Sequence, residues 1–198
     1  AWLAIGDAYR DRADFAQAIK DYEQAATLEP GNAEAQHRLG LAYETMGRFD
    51  EAAHAFEQAA DWDRSRADSL LDLGNLEAKR NHPDASVAAY RRAIAVEPTD
   101  PTPYVALSRL YQGQGDFAAA ARSLEQAVTL APASGMIWQA VGDLKFAQGK
   151  TAEAQAAFEK AIAVEPSYAP AYHDLGQLHW RKGQLDVAEM LLRRAIAV

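Results

Sequence analysis

The sequence predicts an all-α fold: an α-solenoid superhelix of six helix-turn-helix units, or about twelve antiparallel helices. Three observations predict it: small residues recur every 34 residues, apolar residues recur at helical spacing, and glycine or proline interrupts the chain at regular points. Self-similarity at such a period is the signature of stacked repeats. We expect a single solenoid with both ends inside a repeat and units at 1–32, 33–66, 67–100, 101–134, 135–168 and 169–198.

Two recurring small residues define the period. Glycine recurs with Ser108 filling its one gap, and alanine recurs six times without exception. We expect both to mark contacts between helices, because a larger side chain there would overpack the contact at a cost of about 1–3 kcal/mol. The positions are Gly6, Gly40, Gly74, Gly142 and Gly176, and Ala25, Ala59, Ala93, Ala127, Ala161 and Ala195.

Apolar spacing within each unit indicates two helices. Large apolar residues follow one another at intervals of three, four and seven, as with Leu39 and Tyr43 in one segment and Tyr90 and Ile94 in another. That is the period of a helix and not of a strand. Turn residues separate the segments, and a proline near the end of most units stops the second helix because it cannot donate a backbone hydrogen bond.

These residues resemble the tetratricopeptide repeat family, whose pattern places a bulky residue, Leu-Gly, Tyr, Ala, Phe or Tyr, Ala and Pro at fixed points in 34 residues. The first unit reads Trp2, Ile5-Gly6, Tyr9, Ala18, Tyr22, Ala25 and Pro30. The departures are Gln36 for the bulky residue, Glu77, Lys145 and His179 for the tyrosine, and Arg64 for the proline. The resemblance implies a concave surface that binds peptides.

A helical wheel predicts which residues line that surface. Positions two, five, nine and twelve of each unit lie opposite the buried bulky, Leu, Gly and Tyr positions of the first helix. The candidate groove is Glu34, His37, Leu41, Asp68, Leu71, Asn75, Val105, Arg109, Met136, Gln139, Asp143, Phe146, His173, Gln177 and Trp180.

The candidate groove changes character along the chain. Its first three units offer carboxylates, and its last three offer apolar and aromatic side chains beside hydrogen-bonding groups. Exposed aromatics in such surroundings are typical anchors for a protein partner. We therefore expect a partner segment that is apolar or aromatic at one end and basic at the other. The alternative is that Phe146 and Trp180 pack between units, one place after the polar Lys145 and His179.

Composition excludes several function classes. The net charge of −8 argues against a nucleic-acid partner, which usually requires a basic face. There is no cysteine, no apolar run long enough to insert into a membrane, and no histidine pair at i, i+4 spacing for a metal. The glycines occur singly, so no phosphate-binding loop is expected. We predict no catalytic residues, no metal and no cofactor, and hence not an enzyme.

Three functional interpretations remain open. The first is a protein-interaction scaffold that binds a peptide or helix of a partner in its concave groove. The second is a non-catalytic, substrate-selecting region of a larger enzyme such as a glycosyltransferase. The third is a structural solenoid that self-associates end to end. The cysteine-free, alanine- and arginine-rich composition suggests a bacterial protein. The composition does not select a compartment; the cytoplasm is favoured, with the periplasm as the alternative.

Overall fold

The fold is described from a computed structural model that covers residues 1–198. It contains twelve α-helices and no strand, which confirms the predicted all-α class. No helix is long and apolar enough to cross a membrane. The chain divides into two compact units, residues 1–98 and 99–198, and each contains three helical hairpins. That all six repeats form one continuous solenoid stays a prediction.

The helix boundaries follow the repeat. The first unit contains α1 (Trp2–Asp11), α2 (Phe15–Leu28), α3 (Ala33–Thr45), α4 (Phe49–Trp62), α5 (Ala67–Lys79) and α6 (Pro83–Val96). The second unit contains α7 (Thr102–Gly113), α8 (Phe117–Leu130), α9 (Gly135–Ala147), α10 (Thr151–Val164), α11 (Ala169–Arg181) and α12 (Leu185–Ala197).

The same turn joins the two helices of every repeat. Three residues separate the helices, and the second of them has a positive φ, between 60° and 78°, in all six repeats. Glycine adopts this conformation without strain, asparagine tolerates it, and alanine does so only at a cost. The residues are Ala13, Gly47, Asn81, Gly115, Gly149 and Gly183.

Glycine lets the two helices of a repeat approach closely. A Cβ atom added to Gly6 would lie 2.4 Å from the Tyr22 ring, and one added to Gly74 would lie 2.4 Å from the Tyr90 ring. No side chain fits at such a distance, so the ring of the second helix occupies the space that glycine leaves. The packing therefore confirms that these glycines mark close contacts between helices.

Neighbouring repeats pack through the second helix of one and the first helix of the next. The contacting pairs are α2 with α3 and α4 with α5 in the first unit, and α8 with α9 and α10 with α11 in the second. Buried alanines such as Ala59, Ala127 and Ala161, each 0% exposed, lie in these second helices. This packing leaves one side of each first helix uncovered by the second helices.

Candidate functional site

In the second unit the first helices of three repeats lie side by side, because α9 contacts both α7 and α11. An open pocket of about 550 Å³ lies between α7 and α9. Its lining includes Arg109 and Gln112 from α7, and Asp143 and Phe146 from α9. These side chains occupy the ninth and twelfth positions of their repeats, where the helical wheel predicts an exposed face.

A smaller pocket of about 90 Å³ lies between α9 and α11. Asp143 and Phe146 line both pockets, so the two share one surface. Gln177 and Arg181 contribute to the smaller pocket from α11. We refer to this shared surface as the second-unit groove, formed by Arg109, Gln112, Asp143, Phe146, Gln177 and Arg181.

Phe146 in the second-unit groove and Trp180 next to Arg181 on α11 are both exposed. Phe146 is 37% exposed, and the Arg181 guanidinium lies 5.0 Å from the centre of its ring, a cation–π arrangement. Trp180 is 61% exposed, so it does not pack between repeats, as the alternative interpretation would require. Phe146 is partly exposed and lines both pockets.

The two arginines of the groove form no ion pair within the chain, whereas the amide of Gln139 and the carboxylate of Asp174, which lie beside it, are hydrogen-bonded to each other. The Gln139 side chain donates to Asp174 at 2.6 Å and accepts a hydrogen bond of 3.0 Å from the Tyr168 hydroxyl. Gln139 is therefore committed to positioning Asp174 beside the groove. Arg109 and Arg181 remain available to a carboxylate or carbonyl of a partner.

Burial and a neighbouring carboxylate raise the pKa of Asp143 to about 6. Desolvation of the carboxyl group is the larger cause, and the nearby Asp174 adds to it. Arg109 acts in the opposite direction by favouring the ionised form. The folded protein therefore disfavours the ionised form of Asp143.

The raised pKa of Asp143 predicts a pH dependence of stability. The unfolded side chain titrates near pH 4 and the folded one near pH 6, so the folded state binds more protons between these values. Wild type should therefore lose stability relative to Asp143→Asn as the pH rises from about 4 to about 6, and the difference should stay constant above about pH 7. Urea denaturation of both proteins across this range measures the effect. A carboxyl titration midpoint near 4, observed by NMR, would contradict it.

In the first unit, the expected acidic surface is largely neutralised by arginines of the same chain. Arg38 pairs with Asp7 and with Glu34, and Arg66 pairs with Glu34 and with Asp68. These pairs connect α1, α3 and the start of α5. A basic partner segment would have to compete with Arg38 and Arg66 for these acids, and its binding at Glu34 and Asp68 stays a prediction.

Burial corrects the candidate groove at two further positions. Val105 is only 2% exposed and belongs to a core cluster with Leu124 and Ile137, so it cannot line an open surface. His37 is 9% exposed, and its Nδ1 atom lies 2.8 Å from the Ser69 hydroxyl in the next repeat. Both occupy position five, which lies close enough to the neighbouring repeat for the side chain to turn inwards.

The remaining candidates are half-buried or exposed. Leu41, Leu71 and Met136 are half-buried, and Leu41 and Met136 pack against core clusters. Asn75 is exposed and accepts a hydrogen bond of 2.8 Å from the Tyr90 hydroxyl. His173 is exposed on α11. The structure thus brings together Arg109, Asp143, Phe146 and Gln177 from the predicted set.

Sequence reasoning missed charged residues at position six of the repeat. Arg38, Asp72 and Asp174 all occupy this position, and all three lie beside the predicted lining residues. Burial, with Asp68 and Glu44 nearby, raises the pKa of Asp72 to about 6. Their shared place in the 34-residue period was a signal that could have identified them.

Comparisons of sequence place the chain among repeat proteins. A family model described as TPR repeat matches residues 6–47 and 142–183, and one described as tetratricopeptide repeat matches 33–66, 101–134 and 169–198. Together these matches cover most of the chain. No curated protein matches it in sequence.

Solved structures share the fold. The crystal structure of MamA is 26% identical with a TM-score of 0.71, over 84% of this chain and 97% of MamA. PilW, described as a widely conserved type IV pilus biogenesis factor, is 21% identical with a TM-score of 0.78, over 96% of this chain and 88% of PilW. YrrB, described as a TPR protein with an unusual peptide-binding site, is 18% identical with a TM-score of 0.65, over 87% and 89% of the two chains. At these identities PilW and YrrB support the fold alone.

Proposed function

Because the chain belongs to the tetratricopeptide repeat family, we propose that it is a non-catalytic protein-interaction scaffold that binds a peptide or helix of a partner in the second-unit groove. Members of this family generally serve as scaffolds, and the fold shared with MamA agrees with membership of the family. The six residues that define the groove come from first helices, and Phe117 of α8 and Phe158 of α10 complete the lining of its pockets. A partner could therefore bind there without disturbing the packing of the repeats.

The main support for this proposal is that Phe146 is exposed and lines both pockets. An accessible aromatic ring between two pockets gives a partner an apolar surface that it can desolvate. Arg109 and Arg181 form no ion pair, and they lie on α7 and α11, the two first helices that flank α9 and its Phe146. Interface anchors of this kind, an aromatic or arginine in a pocket with polar groups at its rim, account for most of the energy of many protein complexes.

The groove favours a partner with an apolar or aromatic side chain. The pocket of about 550 Å³ has an apolar part formed by Phe117, Ala140 and Ala147, beside the polar Arg109 and Asp143. A large apolar side chain could fill that part while the polar groups bind the partner's backbone or a neighbouring charged residue. The first unit contributes less in this proposal, because most of its charges are already paired.

Affinity capture with matched variants tests the proposal. The groove variant combines Arg109→Glu with Phe146→Ala. The control combines Arg122→Glu with Leu130→Ala on α8, outside the groove. It makes the same charge reversal and truncates an apolar side chain of the same 37% exposure. We expect partners captured by wild type to be retained by the control and lost by the groove variant, with both variants helical by circular dichroism. Equal capture by all three proteins would refute the groove.

A further inference from the structure

One repeat lacks the bulky residue that begins the apolar pattern of the others. Trp2, Leu70, Tyr104, Trp138 and Tyr172 occupy this place in five repeats, and Gln36 occupies it in the second. The position lies on the first helix, beside the second helix of the preceding repeat. Replacing a large apolar side chain with glutamine at such a place leaves the space beside the second helix unfilled.

The structure has an open cleft of about 760 Å³ at Gln36, between α2, α3 and α4. Its apolar part is formed by Ala26, Leu39 and Ala55. We refer to it as the Gln36 cleft. The Gln36 side chain forms no hydrogen bond within the chain and leaves the cleft open.

The corresponding cleft in the second unit shows what such a space accommodates. It lies between α8 and α9, has a volume of about 410 Å³ and is lined by the Trp138 ring. The Trp138 indole nitrogen donates to the Pro132 carbonyl at 2.8 Å, and the Lys160 ammonium lies 5.9 Å from the ring centre. An indole with a cation on its face is therefore a natural occupant of this position in the repeat.

The Gln36 cleft is separate from any binding surface at positions two, five and nine. Gln36, Leu39 and Tyr43 follow one another at helical spacing along one side of α3. Glu34 and Leu41 point to the other side, because each residue turns the helix by about 100°. A ligand in the cleft would therefore not compete with one on the opposite face.

The charge around the Gln36 cleft is acidic. Glu23, Asp50 and Glu51 line it, and no lysine or arginine does. Asp50 and Glu51 are paired with Arg80 and Arg48 from outside the lining. The Glu23 carboxylate forms no ion pair and accepts a hydrogen bond only from the Tyr43 hydroxyl, at 2.7 Å.

We propose that the Gln36 cleft is a second binding site, which takes an aromatic side chain, above all tryptophan, from a partner protein segment in which the neighbouring residue is basic. The ring would occupy the open space lined by Ala26, Leu39 and Ala55, where other repeats place their own bulky side chain. The adjacent lysine or arginine of the partner would pair with Glu23. The proposal is independent of the second-unit groove and uses none of its residues.

Titration with short peptides followed by NMR tests the proposal on the whole chain. The probe is an acetylated and amidated Gly-Lys-Trp-Lys-Gly peptide, compared with peptides in which Ala replaces Trp or Glu replaces both lysines. We expect the probe to shift amide signals of α3 and α4 around Gln36 and His54, and to bind at least fivefold more tightly than either comparison peptide. Equal affinity of the three peptides, or shifts confined to the second-unit groove, would overturn the proposal.

Two variants locate the site. Gln36→Trp should narrow the cleft, as Trp138 narrows the corresponding one to about 410 Å³, and should weaken probe binding at least tenfold. Glu23→Gln should weaken it about threefold at low salt and less at high salt, because exposed charges are screened. Gln24→Trp, on an exposed position of α2 outside the lining, is the matched control and should bind as wild type. Unchanged affinity in both Gln36→Trp and Glu23→Gln would refute the site.

Discussion

Replacing Gly142 with serine is expected to lower the free energy of unfolding by about 2–3 kcal/mol, near the upper end of the usual cost of overpacking. A Cβ atom at this position would lie 2.4 Å from the Phe158 ring, so the ring or the helices must move. Both residues are buried in the contact between α9 and α10, where little room exists for such a shift.

The other repeats indicate how the substitution could be rescued. Glycine faces an aromatic ring in four repeats, with Gly40 and Phe56 as a second example. The one repeat with serine instead of glycine, at Ser108, has Leu124 where these four repeats have the ring. Serine at this position is therefore compatible with an aliphatic partner, and Phe158→Leu should recover part of the stability lost in Gly142→Ser.

A double-mutant cycle measures this coupling. Urea denaturation of wild type, Gly142→Ser, Phe158→Leu and the double variant should give a favourable interaction free energy of about 1 kcal/mol or more between the two substitutions. Gly176→Ser is the control, because it faces Leu192 at 3.0 Å and should cost less. Additive effects of the two substitutions would show that the glycine is not required by the ring.

Replacing Asp21 with alanine is expected to raise the free energy of unfolding by about 1–3 kcal/mol, the usual cost of an unsatisfied buried polar group. Asp21 is only 5% exposed, and its Oδ2 atom has no hydrogen-bond partner. Ala55, Ala89 and Ala157 occupy the same place in other repeats and are buried there. Alanine therefore fits the site and removes the desolvated oxygen.

Thermal and urea denaturation of Asp21→Ala test this expectation. Asp61→Ala is the control, since Asp61 is largely exposed in a loose ion pair with Arg92 and should change stability by less than about 0.5 kcal/mol. A less stable Asp21→Ala protein would mean that the carboxylate makes a stabilising contact that alanine cannot replace. Asp21 would then have a structural role.

The periodicity of the sequence was sufficient to predict the helices and their contacts. Small residues every 34 positions identified the glycines that face rings, and the helical wheel identified Arg109, Asp143 and Phe146 as accessible. Both properties depend on the geometry of a single helix or hairpin. They can therefore be read from spacing alone.

The wheel failed where contacts between repeats decide the outcome. Val105 and His37 share position five with exposed His173, and only their neighbours in the adjoining repeat determine whether the side chain is buried. The pairing of Asp7 with Arg38 likewise joins residues 31 apart. A pattern within one helix carries no information about such contacts.

The central claim is that Phe146 anchors a protein partner in the second-unit groove. The most direct measurement is the equilibrium dissociation constant of a captured partner for wild type, for Phe146→Ala and for the control Leu130→Ala. We predict that Phe146→Ala weakens binding at least tenfold, about 1.4 kcal/mol or more, while Leu130→Ala binds within about twofold of wild type. Unchanged affinity in Phe146→Ala, with the fold intact, would contradict the claim.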